Sequence, residues 1–197
     1  MLVFEKIRTN LVAVARGVPQ KFAMSPNSAP LVMGPQKNTA AIQAAIDQCA
    51  RTQGTVVFHD GVFMSGMDTL KSNVTLQIDP GATLKGTQDD SDYPDTHPKT
   101  DNSQLNNCRK ALIYAEKATN ITIEGGGMVD GNGNKPQWIG PNTVTPERTR
   151  PMAIFIVQSN HMLIQNLRAN RALIERQILQ IRQIRLVFGS RYSESCA

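Results

Sequence analysis

The hydrophobic pattern of this chain changes period once. Between Asn38 and Gly54, the apolar residues Ile42, Ala45, Ile46 and Cys49 fall at i, i+3, i+4 and i+7, one face of a helix. Asn38 or Thr39 suits the N-cap, Arg51 sits well at the negative end of the helix dipole, and Gly54 supplies a stop. From Thr55 onward the apolar residues come in short strand-like runs. These predict strands over Thr55 to Phe58, Val62 to Met64, Val74 to Ile78, Ala82 to Leu84, Ala111 to Ala115, Ile121 to Glu124, Met128-Val129, Ala153 to Val157 and Met162 to Leu167. Turns such as His59-Asp60-Gly61 and Asp79-Pro80-Gly81 separate the early runs, and two polar loops, Thr87 to Arg109 and Gly131 to Arg150, separate the later ones. Residues 1–37, punctuated by Pro19, Pro26, Pro30 and Pro35, read as an irregular leader with at most an edge strand near Leu31 to Met33.

No helical pattern lies between the strands, which excludes βαβ units. The strands recur as blocks: ALIYAEKATNITIEG (Ala111 to Gly125) lines up with AIFIVQSNHMLIQN (Ala153 to Asn166), and Asn73, Asn120 and Asn160 recur 47 and 40 residues apart. Such recurrence fits coils of ~20–25 residues carrying loop insertions. The chain therefore reads as all-β, a single-stranded parallel β-helix spanning residues 38–167, with Asn and Gly at bends where φ is unusual. A lone amphipathic helix ahead of the strands needs a flat apolar surface, and the end of a sheet stack provides one. An antiparallel sandwich explains the strands but neither the recurrence nor the lone helix.

Charge changes the picture only once located. The formal net charge is +5, but residues 168–197 hold six Arg against Glu175 and Glu194, so +4 belongs to this divergent basic tail and +1 to the rest. The body therefore offers no basic face, and with 5% aromatic residues a stacked nucleic-acid surface is excluded as well. In the tail, Leu173, Ile174, Ile178, Ile181, Ile184 and Phe188 share one arc of a helical wheel, which suggests an amphipathic helix. No apolar run approaches the ~20 residues that span a bilayer. LVAVA (Leu11 to Ala15) is too short for a secretory signal core, so localisation is left unassigned. Cys49, Cys108 and Cys196 lie far apart and define neither a zinc site nor a disulfide framework, and Cys49 is expected in the core.

The run NTAAIQAAIDQCA, GTVVFHDGVFMSG, LKSNVTLQIDPGATLKG, DDSDYP, ALIYAEKATNITIEGGGMVDGNG and RPMAIFIVQSNHMLIQNL resembles the N-terminal part of glycoside hydrolase family 28, the polygalacturonases and their relatives. The resemblance covers about Asn38 to Leu167. It implies a right-handed β-helix capped at its N-terminal end by the helix at Thr39 to Cys49. It also implies cofactor-free hydrolysis of α-1,4-galacturonan in pectin with inversion, a pectic polysaccharide as partner, and an extracytoplasmic place. Beyond Leu167 the family pattern gives way to ANRALIERQILQIRQIRLVFGSRYSESCA, and the family's catalytic motifs lie further on, so the resemblance implies a truncated or frame-shifted chain.

Inverting hydrolysis needs two carboxyl groups ~6.5–9.5 Å apart. The family supplies its chemistry as an Asn-Thr-Asp strand, an Asp-Asp pair, a Gly-His-Gly turn and an Arg-Ile-Lys strand. Here Asn38-Thr39 runs into Ala40, Asp89-Asp90 sits in the non-catalytic DDSDYP segment, and His59, His97 and His161 lack flanking glycines. No catalytic, cofactor-binding or metal-binding residue is assigned, and the expected alternatives in function are a non-catalytic glycan-binding β-helix or a polysaccharide lyase on the same fold. Gly125-Gly126-Gly127 is followed by no helix and reads as a bend, not a phosphate loop. Asp130, Asn132 and Asn134 imitate a calcium loop, but Lys135 and Pro141 stand where it needs Gly and Glu. The sequons at Asn73 and Asn120 read as bend asparagines, Asp89, Asp90, Asp92 and Asp95 as a solvated loop, and Trp138 as a loop anchor or a sugar platform.

Overall fold

The computed structural model describes residues 21–24, 37–96, 110–134 and 151–170. The helix α1 spans Thr39–Thr52 and buries the predicted stripe of Ile42, Ala45, Ile46 and Cys49. Twelve strands are described: β1 (Lys21–Met24), β2 (Thr55–Phe58), β3 (Gly61–Ser65), β4 (Asp68–Thr69), β5 (Thr75–Ile78), β6 (Ala82–Gly86), β7 (Ala111–Glu116), β8 (Thr119–Glu124), β9 (Met128–Asp130), β10 (Met152–Val157), β11 (Asn160–Ile164) and β12 (Arg168–Asn170). They form three sheets, a first in the order β1-β2-β5-β8-β11, a second in the order β3-β6-β9-β12 and a third in the order β4-β7-β10. All their pairings are parallel. Each coil crosses the third, first and second sheets in turn, as β7, β8 and β9 and then β10, β11 and β12 do. This is the parallel β-helix that the recurrence predicted, with the right hand that the family resemblance implied.

The register explains the spacing. Thr55 pairs with Thr75, Thr75 with Thr122 and Thr122 with Leu163, steps of 20, 47 and 41 residues. The two longer steps carry the polar loops. One residue further along lies the inward row Val56, Leu76, Ile123 and Ile164, all buried and stacked coil on coil. Burying each such side chain contributes roughly 1.5–3 kcal/mol. Phe58 and Phe63 meet edge to face across a corner, with ring centroids 5.0 Å apart.

Two residues ahead of the paired row is a bend occupied by Gln53, Asn73, Asn120 and His161, with φ of 54°, 65°, 59° and 53°. The expected third bend asparagine, Asn160, is one residue early. Asn160 pairs with Thr119, and its side chain is hydrogen-bonded to the Thr119 hydroxyl, which leaves His161 opposite Asn120. Asn120 Nδ2 donates to Asn73 Oδ1 at 3.1 Å, so the bend asparagines form a ladder between coils. Gln53 is also the left-handed cap that ends α1, a role expected of Gly54. The Gly54 amide instead donates to the Cys49 carbonyl at 2.9 Å.

Helix α1 seals the start of the third sheet with side chains. Gln43 Nε2 donates to the Thr69 carbonyl at 3.0 Å, and the Thr69 amide donates to Gln43 Oε1 at 2.9 Å. One side-chain amide thus makes both hydrogen bonds of a missing neighbouring strand. Asn38 occupies the N-cap but makes no capping bond through its side chain. Thr39 Oγ1 instead accepts from the Gly66 amide at 2.8 Å.

The leader differs from its expected form. β1 at Lys21–Met24 pairs with β2 and extends the first sheet, whereas Leu31 to Met33 lies outside the described residues. Backbone pairing along an open edge needs no side-chain period, so the sequence carried no signal for it. β4 and β12, at two and three residues, are too short to show a period. The helical arc expected in the tail lies outside the described residues.

Candidate functional site

On the outward face of the first sheet, the row two residues beyond the paired threonines runs Val57, Gln77, Glu124 and Gln165. Gln77, Glu124, Gly125, Gln165 and Asn166 line an open groove of about 460 Å³. Its hydrogen bonds fix its chemistry. Gln77 Nε2 donates to Asp79 Oδ1 at 2.8 Å, and Gln165 Nε2 donates to Glu124 Oε2 at 2.7 Å. Each glutamine spends one of its two N–H donors in these bonds and keeps its oxygen as an acceptor, with the second N–H, beside the Glu124 carboxylate. The groove suits hydroxyl or cationic donors, and with one carboxylate it has no acid and base pair. Arg168 fastens its border, donating from Nη2 to the Pro80 carbonyl at 2.8 Å and from Nε to the Gly126 carbonyl at 3.2 Å.

The three glycines beside this groove serve the bend, as expected. Gly125 and Gly126 have φ of 121° and 82°, and a Cβ on Gly125 would stand 2.3 Å from the Ile78 carbonyl oxygen of the coil below. The coils stack too closely there for any side chain.

Of the carboxylates singled out in the sequence, Asp89, Asp92 and Asp130 are engaged in structural contacts. Lys37 bridges Asp89 at 3.1 Å and Asp92 at 2.8 Å. Asp89 also caps the short 3-10 helix Asp90–Asp92, its Oδ1 accepting from the Ser91 amide at 3.1 Å. Bonds from the Ser91 hydroxyl and then Lys37 hold the Asp89 carboxyl down at about 2. Asp130 Oδ1 accepts from the Asn132 amide at 2.9 Å, Asn132 Nδ2 donates to the Gly86 carbonyl at 3.0 Å, and Gln88 Nε2 donates to Asn134 Oδ1 at 2.6 Å. The imitation of a calcium loop is a turn tied to the neighbouring coil. Among the described residues, no three His, Cys, Asp or Glu side chains converge as metal ligands.

His59 is paired with Asp79, and His161 lies in the bend with Nδ1 2.9 Å from Asn160 Oδ1. His97, Cys108, Trp138 and Cys196 lie outside the described residues. Cys49 is buried, and burial pushes its thiol up to about 12, which leaves a core residue and no nucleophile.

Two arrangements escaped the sequence reading. On the third sheet, Ala111, Tyr114, Met152, Phe155 and Val157 form a second buried cluster, separate from the main core, against which Met67 packs. Tyr114 and Phe155 rings lie 5.7 Å apart, and the Tyr114 hydroxyl donates to Glu116 Oε2 at 2.9 Å. Burial and then Glu116 raise the Tyr114 phenol. Burial works against the Glu116 carboxylate, and its bonds from Tyr114 and Lys117 outweigh it, holding the group below its usual range. The second arrangement is Asp68, fully buried in β4 opposite Ile113. Its Oδ1 accepts from Ser65 Oγ at 2.8 Å, while its Oδ2 has no hydrogen-bond partner. Burial pushes this carboxyl well above the ordinary range. A two-residue strand gave no period from which to place Asp68 inside.

No protein-family model matches the chain. In sequence it is similar to an exo-poly-alpha-D-galacturonosidase of Dickeya chrysanthemi, 39% identical over 109 residues, 52% of this chain and 18% of that relative. It is also similar to a polygalacturonase of Ralstonia solanacearum, 35% identical over 114 residues, 54% of this chain and 21% of that relative. These matches span about a fifth of the length of the curated relatives. Among solved structures, the Family 28 exopolygalacturonase of Yersinia enterocolitica matches with a TM-score of 0.61 and 20% identity, over 77% of this chain and 34% of that one, a likeness of fold.

Proposed function

Over about half of its length the chain is a polygalacturonase-like protein, and from that premise we propose that its coils belong to a glycoside hydrolase acting on the α-1,4-galacturonan of pectin, as scaffold and not as reaction centre. The observation that carries this reading is the 39% identity sustained over 109 residues. A helix-capped β-helix agrees with it, since such a stack is a rigid base on which further coils can be laid.

The scaffold role follows from the carboxylates. Inverting hydrolysis asks for one carboxylic acid to protonate the leaving oxygen and another group to activate water across a gap of ~6.5–9.5 Å. The candidates here are already committed: Asp89 and Asp92 to Lys37, Glu116 to Tyr114 and Glu124 to Gln165. Asp68 is sealed inside. Among these described carboxylates, none is poised to hand a proton to a sugar oxygen.

A reducing-end assay of the full chain on polygalacturonate, with and without a chelator, tests the proposal. No release is expected in either condition. Release that persists with chelator would overturn the scaffold role and make this chain a hydrolase in itself. Release abolished by chelator would point to a metal-dependent lyase instead.

A further inference from the structure

We propose that Asp68 is held as a neutral carboxylic acid and acts as a proton-dependent latch between the capping helix and the coil stack, so that the cap loosens as the solution becomes less acidic.

Three observations place the latch. Asp68 is 0% exposed, in a part of the core covered by α1. Its neighbour Ser65, also 0% exposed, has its Oγ 2.8 Å from Asp68 Oδ1 and 3.2 Å from Thr39 Oγ1. Thr39 is the first residue of α1 and accepts the Gly66 amide at 2.8 Å. The three side chains therefore form one line from β4 through β3 to the start of the cap.

Proton counting gives the line two states. Ser65 has a single hydroxyl proton and two neighbours that can accept it. With a neutral acid, Asp68 donates to Ser65 Oγ and Ser65 donates to Thr39 Oγ1, so every contact in the line is served. With a carboxylate, Ser65 must turn its proton to Asp68, and the charge keeps one oxygen without a partner in an apolar interior. That state carries the full desolvation penalty of an unpaired buried charge.

Among the described residues, no charge nearby offsets this. Around Asp68, α1 presents Thr39, β3 presents Ser65 and β7 presents Ile113. Among the described residues, the titratable group that feels Asp68 is Tyr93, an acid whose own ionisation is opposed by burial and then by Asp92 and Asp68. Lys37 is engaged by Asp89 and Asp92. The charges α1 carries nearby, Asp47 and Arg51, lie at its surface, where Asp47 is paired with Lys71 at 2.7 Å.

The sign follows from linkage. Burial raises the folded carboxyl above its unfolded value. The folded state therefore binds the proton more tightly. Its contribution is complete below the ordinary Asp range near ~4 and is lost as pH rises from there to the raised folded value. Each pH unit in that window lowers the folded-to-unfolded ratio about tenfold.

The test compares the full chain with Asp68→Asn, which keeps a donor toward Ser65 without a titrating proton, and with Asp68→Leu. Urea midpoints and hydrogen-exchange protection of the α1 amides are measured between pH 5 and pH 8. The latch predicts that the unsubstituted chain loses midpoint and α1 protection as pH rises, while both variants stay flat and exceed it at pH 8. If neither variant folds, the carboxyl carbon of Asp68 in the unsubstituted chain decides, by titrating well above the other aspartates. A normal Asp68 titration, or a pH dependence that the variants share, overturns the proposal.

Discussion

The first and third sheets of the stack share an inward lining but differ in what their outward faces meet. In the first sheet, Thr75, Gln77, Thr122, Glu124 and Gln165 point outward and are half-buried, so β5 and β8 alternate between core and solvent. In the third sheet, β10 reads Met152 to Val157 with every residue buried, and β7 is buried from Ala111 to Ala115. A strand covered on both faces belongs to the interior, although its sheet is one wall of the prism. Polar substitutions should therefore be tolerated on the outside of one wall and not on the outside of the other.

The largest effect that could break this contrast is Phe155→Ala. Truncating a buried ring that packs on Tyr114 should cost about 3–5 kcal/mol of unfolding free energy in urea titrations. Thr122→Ala, outward in the first sheet, should stay within ~0.5 kcal/mol. Similar costs at the two sites would abolish the distinction between the walls. Next comes Gln43→Ala, which strips the side-chain amide from the edge of β4. Leaving the Thr69 amide and carbonyl without these bonds should cost about 1–3 kcal/mol, and hydrogen exchange should speed up at Thr69. A smaller effect is expected at the bend. Asn120→Ala puts a residue without the polar side chain that eases the left-handed region at φ of 59° and removes the rung to Asn73, lowering stability by about 1 kcal/mol, whereas Asn120→Gly loses only the rung. The smallest is Glu124→Gln in the outward row, within ~0.5 kcal/mol by thermal melting, because the Gln165 contact survives as a neutral bond.

The two walls were unequally legible in the sequence. The alternation in Thr119–Glu124 and the unbroken apolar runs in Ala111–Glu116 and Met152–Val157 are both written in residue type, so strand positions came close. What covers a doubly buried strand is not, and the outward cluster of Tyr114 and Phe155 went unseen. Bends were readable to within one residue. Three asparagines suggested a repeating position, but the register counts hydrogen bonds rather than residue names and set His161 in the third place. The polar groove stayed hidden because Gln77, Glu124 and Gln165 are 47 and 41 residues apart, and only the coil register brings them together. Asp68 drew no reading in the sequence, since burial of an acid leaves no mark in a local pattern.

Gln43 also bears on how such stacks assemble. A parallel sheet adds strands by offering a row of backbone groups, and at the edge of β4 that row is already answered by a side chain from the same molecule. A neighbouring copy approaching this edge would have to displace an intramolecular partner held at high effective concentration by α1. On that wall, accretion of foreign strands is blocked at the helix-capped end, and growth of the stack has a direction.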